Sequence, residues 1–191
     1  VTVDGERFRV AGRALGSGTC AAPLLVAASG PKMLRLAGNH ADGVVLSAAA
    51  STEFVRWSFD RVAEGDPPAG FRRYGLVYAS VNEDERVARD RVRRVLATVL
   101  RGEHHARNLE LAGSRLDQAA LNAAFDSGDL ARAESLIDDA IVDRHAAAGD
   151  PGSFRSRIAA YRAAGLDDTI LASMRTPEQI AAVASALNAL D

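Results

Sequence analysis

The chain has 191 residues, enough for one domain with a buried core. A composition 48% hydrophobic and 25% charged is that of a globular protein and excludes wholesale disorder. The net charge of −2 and pI near 6.1 argue against a general nucleic-acid binder, which carries a basic face.

Cys20 is the only cysteine, so an intrachain disulfide and a Cys-based metal site are excluded. No apolar run approaches the roughly 20 residues of a membrane span, and no signal peptide is visible, so a cytoplasmic location is expected. The histidines His40, His104, His105 and His145 fit no metal-binding spacing such as HExxH, and no metal is expected. There is no nucleophile-elbow or P-loop pattern either.

The chain begins in an alternating pattern: Val1, Val3, Phe8 and Val10 flank Asp4-Gly5-Glu6, a hairpin turn signal. A chain that starts within a hairpin is expected to be a piece of something longer. Gly16-Ser17-Gly18 reads as a flexible linker. Pro23 to Ala28 is a short apolar run, the pattern of a strand buried on both faces. Ser29-Gly30-Pro31 ends it, and Pro31 suits the first position of a helix. Met33, Leu34, Leu36 and Ala37 give that helix an apolar face, closed by Gly38. Ala41-Asp42-Gly43 turns into a second apolar run, Val44 to Ser47, which completes a compact βαβ unit.

Ser51 or Thr52 caps a helix carrying Phe54, Val55, Trp57, Phe59 and Val62. After a Gly/Pro-rich loop, Tyr74 to Val81 alternates as a strand. Asn82 or Asp84 then opens a helix over Glu85 to Arg101, with Val87, Val92, Val95, Leu96 and Val99 inward. Residues 102–150 break this rhythm and read as a helical insertion, with patches at Leu116–Phe125 and Leu130–Val142. Ser153 is the expected cap of a helix through Ala164. Asp168 to Ala172 is the next strand. Thr176-Pro177 starts a last helix with Ile180, Val183, Ala184 and Leu187 on its apolar face.

Four β/α units in succession predict an α/β fold with a parallel sheet, on a single domain over residues 1–191. They amount to half of a (β/α)8 TIM barrel with a helical insertion. A doubly wound sheet gives the same periodicity and stays open at this point.

The segment Val26 to Gly38, followed by Ala41 to Leu46, resembles the luciferase-like monooxygenase superfamily. Within it, the resemblance is to coenzyme F420-dependent proteins of the methylenetetrahydromethanopterin-reductase type. The opening hairpin, the junction Tyr78–Arg89 and the stretch Ala163–Asp168 resemble the family in the same order. The resemblance implies the C-terminal half of a bacterial luciferase-like barrel, in which Pro23–Leu46 spans strand five, its helix and strand six. It also implies coenzyme F420 as cofactor, with FMN as the alternative, and hydride transfer to or from a small organic substrate. Strands one to four are absent, so the expected partner is a missing N-terminal half or a second copy in a homodimer. A non-catalytic half-barrel that self-associates is the rival reading.

Barrel sites lie at the C-terminal ends of strands. Ser29-Gly30 lets backbone approach a ligand, and the helix that follows points free N–H groups towards it. A plain tight turn explains the same residues. The family resemblance assigns Ala27, Ala28, Ser29 and Gly30 to the phosphate and ribityl end of the cofactor. Lys32, the only lysine, would add charge there, Met33 would pack beneath the cofactor, and Ser47 would hydrogen-bond it.

Overall fold

The computed structural model describes residues 2–7, 9–12 and 22–188. Cys20, Gly16-Ser17-Gly18, Val1 and Phe8 lie outside the described residues. Strands β1 (Thr2–Asp4) and β2 (Arg9–Ala11) pair antiparallel, with Val3 opposite Val10, as the Asp-Gly turn predicts.

The other strands are all parallel: β3 (Leu25–Ala28), β4 (Gly43–Leu46), β5 (Arg72–Val81), β6 (Ala147–Gly149) and β7 (Asp168–Ala172). β5 is the hub, pairing with β4, β6 and β7. Successive backbone groups of a strand point to opposite edges. The Arg72 N–H donates to the Asp42 carbonyl just before β4, at 2.9 Å. An even number of residues further on, the Asn82 N–H donates to the Gly149 carbonyl at 3.1 Å. So β6 lies beyond the end of β4 on the same edge of β5. The Arg73 carbonyl accepts from the Asp167 N–H on the opposite edge, which carries β7. Two aspartates brace the N-terminal ends: the Leu24 N–H donates to Asp42 at 2.7 Å and the Arg73 N–H to Asp167 at 2.8 Å.

Helices α1 (Pro31–His40), α2 (Thr52–Ala63) and α3 (Glu85–Leu100) follow β3, β4 and β5. The insertion folds as α4 (Ala106–Ala112), α5 (Gln118–Asp126), α6 (Leu130–Ser135) and α7 (Asp139–His145). It also contains β6, which sequence reading misses because Ala-Ala-Gly has no β-branched residue to mark a strand. Helices α8 (Pro151–Ala163) and α9 (Pro177–Asn188) complete the fold.

The caps follow local chemistry. Ser51 accepts from the Phe54 N–H and Asp84 from the Arg86 N–H. Asp150 caps α8, correcting the expectation of Ser153: with Pro151 at the first position, the Ser153 N–H is one that needs an acceptor.

The helices cover one face of the sheet. Val44, Leu46, Val77 and Ala79 from the strands meet Leu34, Phe54, Phe154, Ile158 and Tyr161 there. A second cluster joins Val92, Leu96 and Leu100 of α3 to Leu121, Ile137 and Ile141 of the insertion. The opposite sheet face is open, so β3 is not buried on both faces: Leu25 is 40% exposed and Ile170 of β7 is 42% exposed. Along β5 the buried Gly75, Val77 and Ala79 alternate with half-buried Tyr74, Leu76 and Tyr78. Five predicted inward residues, Met33, Leu36, Val87, Ile180 and Ala184, are exposed instead: Met33, Leu36, Val87 and Ala184 sit one position along the helix from buried Leu34, Ala37, Ala88 and Val183, and Ile180 lies in the first turn of α9.

α1 and α2 lie so close that a Cβ on Gly38 would overlap the Val62 carbonyl oxygen, and one on Gly65 would overlap the Arg35 carbonyl oxygen. Backbone meets backbone here, so neither side has a flexible group to move aside. Gly38→Ala is therefore expected to destabilise the fold by about 1–3 kcal/mol. Gly30→Ala, where an added Cβ meets nothing within 4 Å, is expected to leave stability nearly unchanged. Parallel thermal melts of the two variants check this.

Candidate functional site

Because β3 to β7 all run the same way, their C-terminal ends share one face of that sheet. At the ends of β3 and β4 that face holds a cavity of about 460 Å³, within the size range of small-molecule sites. Ala27, Ala28, Ser29, Gly30, Met33 and Ser47 line it, together with Val45, Leu46, Ala48, Leu76 and His104. The fold thus brings together six of the seven residues singled out from the sequence. Lys32 is not among the lining residues; it is exposed in the first turn of α1.

The floor is apolar for a reason of register. Ala27 pairs with Val45, Val45 with Tyr74, and Leu76 lies two residues further along β5, so these side chains share the uncovered sheet face. The polar rim comes from the Ser29 and Ser47 hydroxyls and from the start of α1. Gly30 caps α1 without any side-chain hydrogen bond, and Pro31 has no N–H. Among the described residues, the N–H groups of Lys32 and Met33 are left as the free donors of the first turn. Met33 is 46% exposed, leaving its thioether available at the cavity wall.

Sequence reasoning missed His104 and Leu76. His104 comes from the short 3-10 turn Glu103–His105, inside the polar insertion, and no spacing or periodicity marks it. Its ring lies 4.3 Å, centroid to centroid, from that of His105, which is buried.

A buried polar knot fixes the loop that carries Ser47. Ala49 adopts a left-handed conformation, φ 60°, unusual for a residue with a Cβ. Its carbonyl accepts from Asn108 Nδ2 at 2.7 Å and from His145 Nδ1 at 2.9 Å. A carbonyl only accepts, so Nδ1 carries the proton, and His145 Nε2 accepts from the Ser114 hydroxyl at 2.7 Å. Asn108 Oδ1 accepts from the Ser51 N–H at 2.9 Å, and the Tyr161 hydroxyl donates to the Ala50 carbonyl at 2.8 Å. Asn108, His145, Ser51 and Tyr161 are all buried.

Burial holds His105 and His145 in the neutral form. The pKa of His145 is pushed down to about 4 by desolvation, against the opposing bond to Ala49 and with help from Arg157 and Arg144. That of His105 is likewise lowered to about 4, by desolvation first and by His104 and His145 next.

Parallel strands alternating with helices, with a cavity at their C-terminal ends, define half of a (β/α)8 barrel and the face on which such barrels do chemistry. The sequence pattern described as "Luciferase-like monooxygenase" matches residues 1–168, and the chain belongs to that family. It is 29% identical over 195 residues to a 5,10-methylenetetrahydromethanopterin reductase of Archaeoglobus fulgidus, a match covering 94% of this chain and 56% of the relative. With the reductase of the same name from Methanopyrus kandleri the identity is 28% over 167 residues, covering 84% and 47%.

Among solved structures, the fold is similar to a coenzyme F420-dependent tetrahydromethanopterin reductase from Methanopyrus kandleri, with a TM-score of 0.74 at 22% identity, over 86% of this chain and 49% of that one. It is also similar to an F420-dependent secondary alcohol dehydrogenase in complex with an F420-acetone adduct, with a TM-score of 0.64 at 20% identity, over 96% and 56%. The chain spans about half the length of the curated relatives it matches. Among the described residues no helix is long and apolar enough to cross a membrane.

The two buried imidazoles set a pH dependence. Their folded-state values, about 4, lie below the ordinary 6.5, so the unfolded chain takes up protons first as pH falls. Their contribution to stability is complete above about pH 6.5, shrinks through the window down to about 4, and is lost below it. Calorimetric melts are expected to show Tm declining across that window. Imidazole NMR signals of His105 and His145 should stay neutral until near its lower end.

Proposed function

We propose that this chain is the cofactor-phosphate half of a deazaflavin-dependent oxidoreductase, with coenzyme F420 as cofactor. The reaction is hydride transfer between that cofactor and a small organic substrate. The observation that carries the reading is the convergence of Ala27 to Gly30, Met33 and Ser47 on one cavity beside the uncapped N-terminus of α1. Descriptions of the related proteins as F420-dependent point the same way.

The residues present suit one end of such a molecule. The Lys32 and Met33 N–H groups meet an anion at the positive end of a ten-residue helix, a setting that favours negative charge. The Ser29 and Ser47 hydroxyls provide hydrogen bonds for a polyol chain, and Lys32 adds positive charge from the exposed first turn. Met33, Val45 and Leu76 supply an apolar surface for whatever lies deeper. Bound F420 supplies the hydride chemistry through its ring, and the protein's part is to hold and orient it. Gly30 leaves space for a ligand at the turn, since nothing lies within 4 Å of where a Cβ would stand.

The open sheet face supports a companion proposal about partners. Leu25, Ala27, Val45, Leu76 and Ile170 present an exposed or half-buried apolar strip. Among the described residues, β3 pairs only with β4 and β7 only with β5, so each leaves an edge free. Closure by further strands, from a second copy or from a complementary N-terminal half, covers both.

Fluorescence titration of the purified chain with F420, alongside FMN, tests the cofactor reading. F420 is expected to bind, and Gly30→Phe to weaken it by about tenfold or more, or roughly 1.4 kcal/mol, without lowering Tm. Preference for FMN would transfer the reading to a flavin monooxygenase, and failure of both to bind would end it. Light scattering tests closure: a dimer is expected, and Leu25→Glu with Ile170→Glu should dissociate it. A wild-type chain that stays monomeric when its complementary half is added would sink the partner proposal.

A further inference from the structure

A second cavity, of about 250 Å³, opens at the C-terminal end of β7. Asp90, Arg91 and Arg94 of α3, Glu134 of α6, and Ser173 and Arg175 of the segment after β7 line it. Two features set it apart from an ordinary charged surface.

The first is Ser173. It directly follows β7 and holds a left-handed backbone, φ 77°, a strained state for a residue with a Cβ. That turn buries its hydroxyl, and the Oγ finds no hydrogen-bond partner. A buried hydroxyl with nothing to bond is disfavoured, and a water or a ligand group would complete it. Strained residues of this kind cluster where ligands are held.

The second is the charge count. Glu134 is taken up by Arg94, and Asp90 by Arg93. Among the described residues neither Arg91 nor Arg175 forms an ion pair. Arg91 makes only a long contact to the Val81 carbonyl, at 3.5 Å. Meanwhile the Arg175 N–H is bonded by the Gln179 side chain at 2.6 Å, which fixes the backbone at the entry to α9. Two guanidiniums with no ion pair among the described residues therefore line the same cavity as Ser173, whose unbonded hydroxyl lies buried just beneath the wall.

We propose that this cavity is an anion site for a phosphate group, held by Arg91 and Arg175, with the Ser173 side chain turning out of its buried position to donate its hydroxyl. Guanidinium forks match the spacing of phosphate oxygens, and a hydroxyl donor completes the set. The site lies at the C-terminal strand ends, on the same face as the first cavity but on different residues, and it stands independently of the F420 reading. The phosphate is either a free anion or the charged end of a larger molecule.

Calorimetric titration of the full chain with inorganic phosphate, and separately with glycerol 3-phosphate, tests it at constant ionic strength. Wild type is expected to bind the probes. Arg91→Gln with Arg175→Gln, and separately Ser173→Ala, should each weaken binding by about tenfold or more. Arg162→Gln, on an exposed helix face away from the cavity, should leave it unchanged. Tighter binding of glycerol 3-phosphate assigns the site to a phosphate ester, and equal binding assigns it to the free anion. The guanidinium NMR signals of Arg91 and Arg175 in wild type should shift on phosphate addition, a readout that needs no variant to fold. Absence of binding by wild type, equal loss in Arg162→Gln, or unmoved guanidinium signals would overturn the proposal.

Discussion

Three consecutive residues, Ala49, Ala50 and Ser51, carry the interaction on which this structure turns. Their backbone polar groups are buried between the half-barrel and the insertion, where no water is at hand to satisfy them. Asn108, His145 and Tyr161 satisfy them, reaching from α4, α7 and α8. The bonds hold Ala49 in a backbone state that its side chain disfavours. They also tie the insertion to the loop that presents Ser47 and Ala48 to the cavity. A helical segment that looks like an addition to the fold is thus the brace of its candidate site.

The second constraint is one-sidedness. β5 accepts neighbours on both edges, and the helices cover only the sheet face that carries Val44, Leu46, Val77 and Ala79. The other face holds exposed or half-buried apolar residues in register across β3, β4, β5 and β7. In a closed barrel such residues fill the interior. The same face forms the floor of the larger cavity, so closure and ligand binding draw on one surface.

Both cavities sit at the C-terminal ends of strands but differ in chemistry. The one at β3 and β4 is apolar beneath and offers backbone N–H groups and hydroxyls at its rim. The one at β7 is lined by arginines and a strained serine. Parallel strand direction alone brings them to a common face. A change of charge in the second and a change of bulk in the first act on separate groups.

Much of this was legible in the order of residues. The Pro23–Leu46 βαβ unit, the helix starts at Pro31 and Pro177 and a cap at Ser51 or Thr52 follow from local rules, while the family resemblance singled out Ala27 to Gly30. Turn chemistry, capping and hydrophobic period act over a few residues, so the chain determines them by itself. Other features depend on contacts distant in sequence. Ser51 meets Asn108 across 57 positions and Ala49 meets His145 across 96. β6 is a strand only because β5 pairs with it, and His104 lines a cavity only because the insertion folds back. Burial of an imidazole, strain in Ala49 and Ser173, and exposure of one sheet face come from packing between remote segments. Only the tertiary structure decides those, since no local pattern of residues encodes which distant group will supply the missing hydrogen bond.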